Sequence, residues 1–435
     1  MSVLKRLLGV DTQTMSIRKE IFAGMTTFFT MSYILSVVPT ILSTTYMDKG
    51  AVFTATAIAS GIATLLMAFL AKIPFALAPG IGLNTFFAFT IVQSMGYSWE
   101  TALTAVLIEG ILFTLLTVFK IREKIINSIP VNIRRATSGG IGLFIAFTGL
   151  ANCGVIAYDP ITIVKFGEVS SAAYLAIIGI LMTVVFLRKK IKMGIFYSII
   201  LCTLIGIPMG VTEIPENFSF IDIPASISPV FMKFDFSSIF SFDMIIIITT
   251  LTLMDMFDTL GTLFGTSIKA GLTDSSGNIP RMKYALLADS IGTTIGAILG
   301  TSTVTTVMES TAGVAVGGRS GLTSAVTALF FFLVLFLAPL FLLVPSAATT
   351  SALIAVSFMM FTPIRHIDYK DISESLPAFM TIIMMPLCNF ISDGIMIGML
   401  SYAIIKLIHG KYKQISKTMY VLCTLFILHY LFLST

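Results

Sequence analysis

"FALAPGIGLNTFFAFT" (residues 75–90) and "TSTVTTVMESTAGVAVGGRSG" (residues 301–321) decide how this chain is read. Each opens on a run suited to extended backbone and then breaks into Gly, Ala, Asn or Ser. In the second stretch the β-branched run Thr303, Val304, Thr305, Thr306 and Val307 precedes the break. Both predict a short extended piece leading into a half-helix. Backbone groups freed by such a break are tolerated at membrane depth only where protein or a wet cavity satisfies them. A pair of short, Gly/Pro-interrupted segments at matching places in two halves is the mark of inverted repeats with a binding site near the midplane.

The surroundings of the two stretches fit a membrane. Of 435 residues, 56% are hydrophobic and only 11% are charged, with a mean hydropathy of +0.97; a soluble domain is about a quarter charged. The composition predicts an all-α polytopic membrane protein. Apolar runs long enough to span or half-span a bilayer fall at 20–43, 51–71, 81–95, 99–119, 133–153, 170–187 and 194–209. After a polar, Pro-containing connection at 210–241, a second set falls at 242–267, 283–300, 306–317, 320–343, 346–361, 373–390 and 391–408. Fourteen transmembrane segments result, as two sets of seven. An odd number per set requires the two halves to be inverted with respect to each other. The stretch 418–433 is left over, as a fifteenth span or a helix lying against the bundle.

Basic residues orient this map. With the N-terminus cytoplasmic, the inside collects Arg18, Lys19, the 120–124 cluster, Arg134, Arg135, "RKKIK" at 188–192, Lys269, Arg281, Arg365 and Lys370, and only Lys49, Lys165 and Lys233 fall outside. The net charge of +5 therefore follows from topology, and no nucleic-acid partner is needed. The polar, basic residues 1–19 read as a cytoplasmic lead-in rather than a removable signal peptide. The place of the chain is the cell membrane, with the lipid bilayer as its solvent. Cys153, Cys202, Cys388 and Cys423 are scattered in apolar sequence, and His366, His409 and His429 lie in loops or at the C-terminus. They predict neither a disulfide framework nor a metal site, and no cofactor is expected beyond a coupling ion, for which a proton suffices.

The chemistry is carried by acids. On a helix, Thr252, Asp255, Asp258, Thr259, Thr262 and Thr266 follow steps of three and four and form one polar stripe. Such a stripe faces the bundle interior. Burial disfavours a bare carboxylate and no Lys or Arg lies within this span, so Asp255 or Asp258 is expected to hold a proton or meet a donor-rich ligand. Intramembrane acids are functional by default; the alternative is that both bond to backbone freed by a broken neighbour. Glu309 lies at the break of the tenth segment, where it suits a ligand and equally suits capping the half-helix near Ser310. Asn84, just after Gly80 and Gly82, offers donor and acceptor at the third-segment break. Glu109 and Asp289 are single acids expected to make structural hydrogen bonds, Asp393 is expected in a turn, and Gly292, Gly296 and Gly300 read as packing positions. "VGGRSG" (316–321) lacks the lysine and setting of a phosphate loop.

"LAPGIGLNTFFAFT", "TLMDMFDTLGTLFG", "VTTVMESTAGVAVGGRSGLTS" and "LPAFMTIIMMPLCNFISDGI", with "EIFAGMTTFFTMSYI" at 20–34, together resemble the AzgA-like purine permeases of the nucleobase–cation symporter-2 superfamily. The likeness extends over nearly the whole chain. It implies a core domain (20–132 and 242–345) moving against a gate domain (133–209 and 346–435), with 210–241 an extracytoplasmic linker and short strands at the breaks of segments 3 and 10. It implies that a purine base (hypoxanthine, guanine or adenine) binds at Asp255, Glu309, Asn84 and Gly82, and that Asp255, Asp258 and Glu309 serve proton coupling. Relatives for uracil often carry a histidine where Thr259 stands, so coupling here would rest on carboxylates alone. Phe86, Phe87 and Phe257 are candidates to stack on the base. A homodimer is compatible with the sequence, which leaves the oligomeric state open. Rival readings are a xanthine or pyrimidine permease, an anion carrier of the same fold and a channel; no nucleophile–base set suggests an enzyme.

Overall fold

A computed structural model describes residues 7–11, 15–32, 34–119, 130–168, 170–189, 191, 194–212, 214, 219–273, 279, 281–339, 343–388 and 391–433. The basic cluster at 120–124, Lys190 and Lys192, and part of the 210–241 connection lie outside the described residues.

The chain is mainly helical. Its first half holds α1 (Ile17–Met31), α2 (Ile34–Ser43), α3 (Lys49–Leu66, prolonged in π geometry over Met67–Ala71), strand β1 (Leu77–Pro79) and α4 (Ile81–Thr85, continuing as a π-helix over Phe86–Ser94). There follow α5 (Trp99–Val118), α6 (Val131–Asn152), a hairpin of β2 (Ile156–Asp159) and β3 (Ile163–Phe166), α7 (Ser171–Arg188) and α8 (Gly194–Gly206). The second half holds α9 (Phe242–Ala270), α10 (Met282–Leu299), β4 (Val304–Thr306), α11 (Ser310–Val316) and α12 (Gly321–Leu333). It closes with α13 (Ser346–Phe361), α14 (Ile372–Cys388), α15 (Ile391–Ile408) and α16 (Lys417–Leu433), which packs on α15. Among the described residues Lys49–Ala71, Trp99–Val118, Ser171–Arg188 and Ile247–Ile268 are long and apolar enough to cross a membrane unbroken.

There are two local departures from the sequence reading. The run at 20–43 holds two helices, the first ending before Ser32, whose hydroxyl turns back onto the Phe29 carbonyl at 3.0 Å. The β2–β3 hairpin was not expected at all. Its turn is set by Asp159, whose carboxylate accepts from the N–H groups of Ile161 and Thr162 at 2.9 and 3.0 Å. Those two backbone donors, Thr162 first, and then Lys165 hold the Asp159 carboxyl below the usual carboxylate range.

The helices pack in two groups. One joins α1, α3, α5, α10, α11 and α12; the other joins α6, α7, α8, α13, α14 and α15; α9 touches both. Pairs recur when the halves are exchanged: α5 lies on α10 as α12 lies on α3, and α9 on α5 as α12 on α1. Likewise α7 lies on α13 as α14 on α6, and α7 on α8 as α14 on α15. Small residues permit the approach. A Cβ on Gly110 would stand 2.8 Å from the Thr294 nitrogen, and one on Gly292 would stand 2.8 Å from the Ala63 Cβ. At one end of the second group, buried Lys406 pairs with Glu374 at 2.7 Å and donates to the Ser373 hydroxyl at 2.9 Å. The other Glu374 oxygen accepts from Asn132 at 3.0 Å, which ties α6, α14 and α15 together.

One buried acid organises a helix start at a distance. Glu20 on α1 is 1% exposed and accepts from the backbone N–H groups of Arg319 (2.9 Å) and Ser320 (3.2 Å) and from the hydroxyls of Ser320 (2.9 Å) and Thr323 (2.6 Å). It thus satisfies the orphan donors of α12, which no sequence motif announced. Next to it α11 ends at Gly317, whose φ of +118° suits only glycine, and the Arg319 guanidinium caps the Val314 carbonyl at 2.6 Å. Glu20→Ala removes the acceptor of the Arg319 and Ser320 N–H groups and the Ser320 hydroxyl, Thr323 retaining the Glu20 carbonyl at 3.4 Å. It is expected to cost about 3 kcal/mol, whereas Glu20→Gln keeps one acceptor and loses less. Thermal unfolding of both variants in detergent checks the order.

Candidate functional site

The two broken segments meet back to back. Strands β1 and β4 pair antiparallel, Leu77 opposite Thr306, Ala78 opposite Thr305 and Pro79 opposite Val304. The ladder extends by Gly80 N–H to Thr303 O at 3.2 Å and Val307 N–H to Ala76 O at 3.1 Å. Hydroxyls on flanking helices satisfy most of what remains. Thr64 on α3 accepts from Leu77 N–H at 3.0 Å and reaches its carbonyl at 3.1 Å. Thr293 on α10 donates to the Val304 carbonyl at 2.8 Å, the same service from the other half. Ser310, opening α11, accepts from Ala76 N–H at 2.9 Å. Freed backbone at this depth is met by protein, as the rule for membranes requires.

Helix α9 passes this crossing and packs on β4, α11 and α4. Its stripe is buried as the spacing predicts, apart from half-buried Asp258, but the members differ in use. Thr252, Thr262 and Thr266 turn their hydroxyls onto their own helix, at Ile248 O (2.7 Å), Asp258 O (2.8 Å) and Thr262 O (2.5 Å). Asp255 and Thr259 are both 0% exposed, and Thr259 reaches beyond its own helix. The Thr259 oxygen lies 3.1 Å from Asp255 Oδ1, 3.0 and 3.1 Å from the two Asp289 oxygens and 2.8 Å from the Thr305 hydroxyl of β4. Asp289 on α10 also accepts the Thr306 N–H at 3.2 Å. Two carboxylates from different helices therefore converge on one hydroxyl, and one of them holds a site strand. A single hydroxyl hydrogen cannot serve both acids at once.

The other expected residues fall as follows. Glu309 is 6% exposed and occupies the N-cap position of α11, but its side chain makes no capping bond. Glu309 thus stands at the half-helix start, where the helix dipole favours an acid, without a side-chain capping bond. Asn84 is fully buried and engaged, donating to Gly80 O at 2.7 Å and accepting from the Ser302 hydroxyl at 2.7 Å. It stitches the two breaks together. Gly82 opens α4 and is half-buried. One oxygen of Asp258, Oδ1, is buried with no hydrogen-bond partner among the described residues. Phe86 and Phe87 belong to an apolar cluster with Phe28 and Phe331, and the Phe257 side chain lies outside the described residues. Glu109 is structural as expected, accepting from the Thr303 hydroxyl at 2.8 Å. Asp393 is not in a turn; it sits in the first turn of α15, where the helix dipole favours an acid. Asp289 is the member of the cluster that spacing could not single out, because a lone acid in "LLADSIG" carries no sign of the helix it faces.

A permease family profile, that of the nucleobase–cation symporter-2 family, matches residues 18–397. The chain belongs to this family. The permease is 39% identical to the adenine permease AdeP of Escherichia coli over 433 residues, covering 99% of this chain and 97% of that one. It is 41% identical to the guanine/hypoxanthine permease PbuG of Bacillus subtilis over 443 residues, covering 99% of this chain and all of the other. These relatives are transporters and not enzymes, and the permease is an integral membrane protein. Its fold is similar to the transmembrane domain of the cyanobacterial bicarbonate transporter BicA, with a TM-score of 0.60 at 16% identity, covering 86% of this chain and 96% of that one. At that identity the likeness concerns fold alone.

Thr259→Val removes the hydroxyl that separates Asp255 from Asp289 and is expected to destabilise the permease by about 1–3 kcal/mol. Thr259→Ser keeps the hydroxyl and should stay close to the parent. A matched pair of thermal unfolding curves distinguishes them; a loss in Thr259→Ser with Thr259→Val close to the parent would show that packing of the methyl, not the hydroxyl, matters.

Proposed function

We propose that the permease is a secondary active transporter importing a purine nucleobase (hypoxanthine, guanine or adenine) by proton symport through alternating access. The observation that carries this reading is the convergence of Asp255 and Asp289 on Thr259 beside the strand crossing, with Glu309 uncommitted to capping at the start of α11. The named activities of AdeP and PbuG support the substrate class. A purine is flat, neutral and edged with N–H donors and ring-nitrogen acceptors. Asp255 and Glu309 accept its N–H groups, the backbone at Gly82 borders it from the α4 break, and Asn84 positions that break by holding Ser302.

Coupling follows from the acids. Asp255 and Asp289 share a proton across Thr259, and Asp258 and Glu309 are further carboxylates able to take one. Loading a proton and a base neutralises the site and completes its hydrogen bonds, so the loaded domain crosses the barrier without a bare charge. Empty and ionised, it crosses reluctantly. The moving body is the core domain, 20–132 and 242–345, and the gate is 133–209 with 346–435. The exchange symmetry of the helix pairs supports fourteen spans in two inverted repeats, and the distribution of basic residues supports a cytoplasmic N-terminus. An anion carrier rests on fold likeness alone, and the site offers carboxylates where an anion needs donors.

The test is uptake of radiolabelled hypoxanthine, guanine and adenine into cells lacking their own purine permeases. Uptake is expected to collapse with a protonophore; uptake indifferent to it would remove proton symport. Glu309→Gln should lower uptake roughly tenfold to a hundredfold, the loss of a hydrogen bond to a charged group, with the protein still in the membrane. Normal uptake by that variant would displace the site. Asp255→Asn should flatten the pH dependence of uptake, and an unchanged profile would take Asp255 out of coupling.

A further inference from the structure

Away from the acids, a cavity of about 400 Å³ opens where the two packing groups meet. Arg18 and Lys19 on the first turn of α1 and Val316 at the end of α11 form one wall, and Tyr197 of α8 with the preceding Ile191 forms the other. Basic residues at this end of the molecule follow from topology alone. What sets Arg18 and Lys19 apart is the half-open recess beside them and the absence, among the described residues, of any carboxylate paired with either. Arg18 lies over the Phe22 ring at 5.6 Å, and a guanidinium stacked in this way keeps the N–H groups of its edge for an oxyanion. Ser16, the N-cap of α1, makes no side-chain capping bond, and the positive end of that helix lies beside the cations.

The cavity is too large for a simple ion and within the range of small-molecule sites, about 300–1,000 Å³. Its lining is divided: cations and a hydroxyl at one side, apolar and aromatic surface at the other. That pairing suits an anion with an apolar or flat body. We propose that this cavity binds a phosphate ester, either an anionic lipid headgroup or a nucleotide, with Arg18 and Lys19 on the phosphate and Phe22 and Tyr197 along its body. Because the walls come from both packing groups, occupancy favours the arrangement seen here and, by linkage, slows any motion of one group past the other. The binding stands apart from the purine reading; only its effect on transport rests on that reading.

The experiment uses the full chain in phosphatidylcholine nanodiscs, with adenine and hypoxanthine in excess to occupy any transport site. Radiolabelled AMP is titrated, and the thermal midpoint is measured with and without phosphatidylglycerol in the discs. Saturable AMP binding, or a higher midpoint with phosphatidylglycerol, is expected for the parent. Arg18→Gln with Lys19→Gln should weaken the effect roughly tenfold or more, as charge-assisted bonds are lost. AMP binding that phosphatidylglycerol displaces, or a lipid effect without AMP binding, identifies the lipid as the ligand; AMP binding indifferent to the lipid identifies the nucleotide. Should the double variant fail to fold, Ile191→Trp fills the cavity from the far wall, leaves both cations in place and should also abolish binding. No effect of either probe on the parent, or effects that persist in the folded variants, overturns the proposal.

Discussion

Everything at the centre of this permease depends on one backbone crossing, the antiparallel contact of Leu77–Pro79 with Val304–Thr306. Hydrocarbon offers no partner for an unpaired N–H or carbonyl, and each one left bare costs several kcal/mol. Each broken segment therefore supplies what the other lacks, and hydroxyls on α3, α10 and α11 complete the set. Once the crossing exists, two half-helices start from it, and their first turns face the middle of the molecule. Without it, Asn84 and Glu309 would not lie at the start of anything.

The crossing also gathers the acids. Asp289 holds the Thr306 N–H, and Thr305 meets the hydroxyl that Asp289 shares with Asp255. The strand is thus connected to both carboxylates through hydrogen bonds whose donors depend on where protons reside. A change of protonation at this pair cannot leave β4 untouched, since the same oxygen serves both. That is a physical basis for joining ion loading to the shape of a site, and it arises from side chains of two helices and one strand.

Helix α9 is the mechanical counterpart of the crossing, because it touches both packing groups. Its threonines show how a polar stripe is managed at membrane depth. Three of them bond their own helix and so cost the bundle little, while Thr259, which also meets Asp255 one turn before it, reaches a neighbouring helix and strand. Period alone gives all members equal weight. The carbonyl four residues back is the competing acceptor that separates them.

The succession of apolar runs, the extended pieces at the two breaks and the buried stripe of α9 were all legible in the sequence, because each depends on local composition and period. Family membership was legible for the same reason, in motifs that keep their order along the chain. Tertiary structure alone decided which face met which partner. It turned Asp289 toward Thr259, engaged both ends of the Asn84 amide, and sent Glu20 to cap a helix three hundred residues away in sequence. It also divided one apolar run at Ser32 and folded Asp159 into a hairpin turn. A periodicity fixes an angle around one helix axis and carries no record of the axis beside it. Contacts between distant segments are settled by packing, where glycines such as Gly110 and Gly292 set how closely two helices approach.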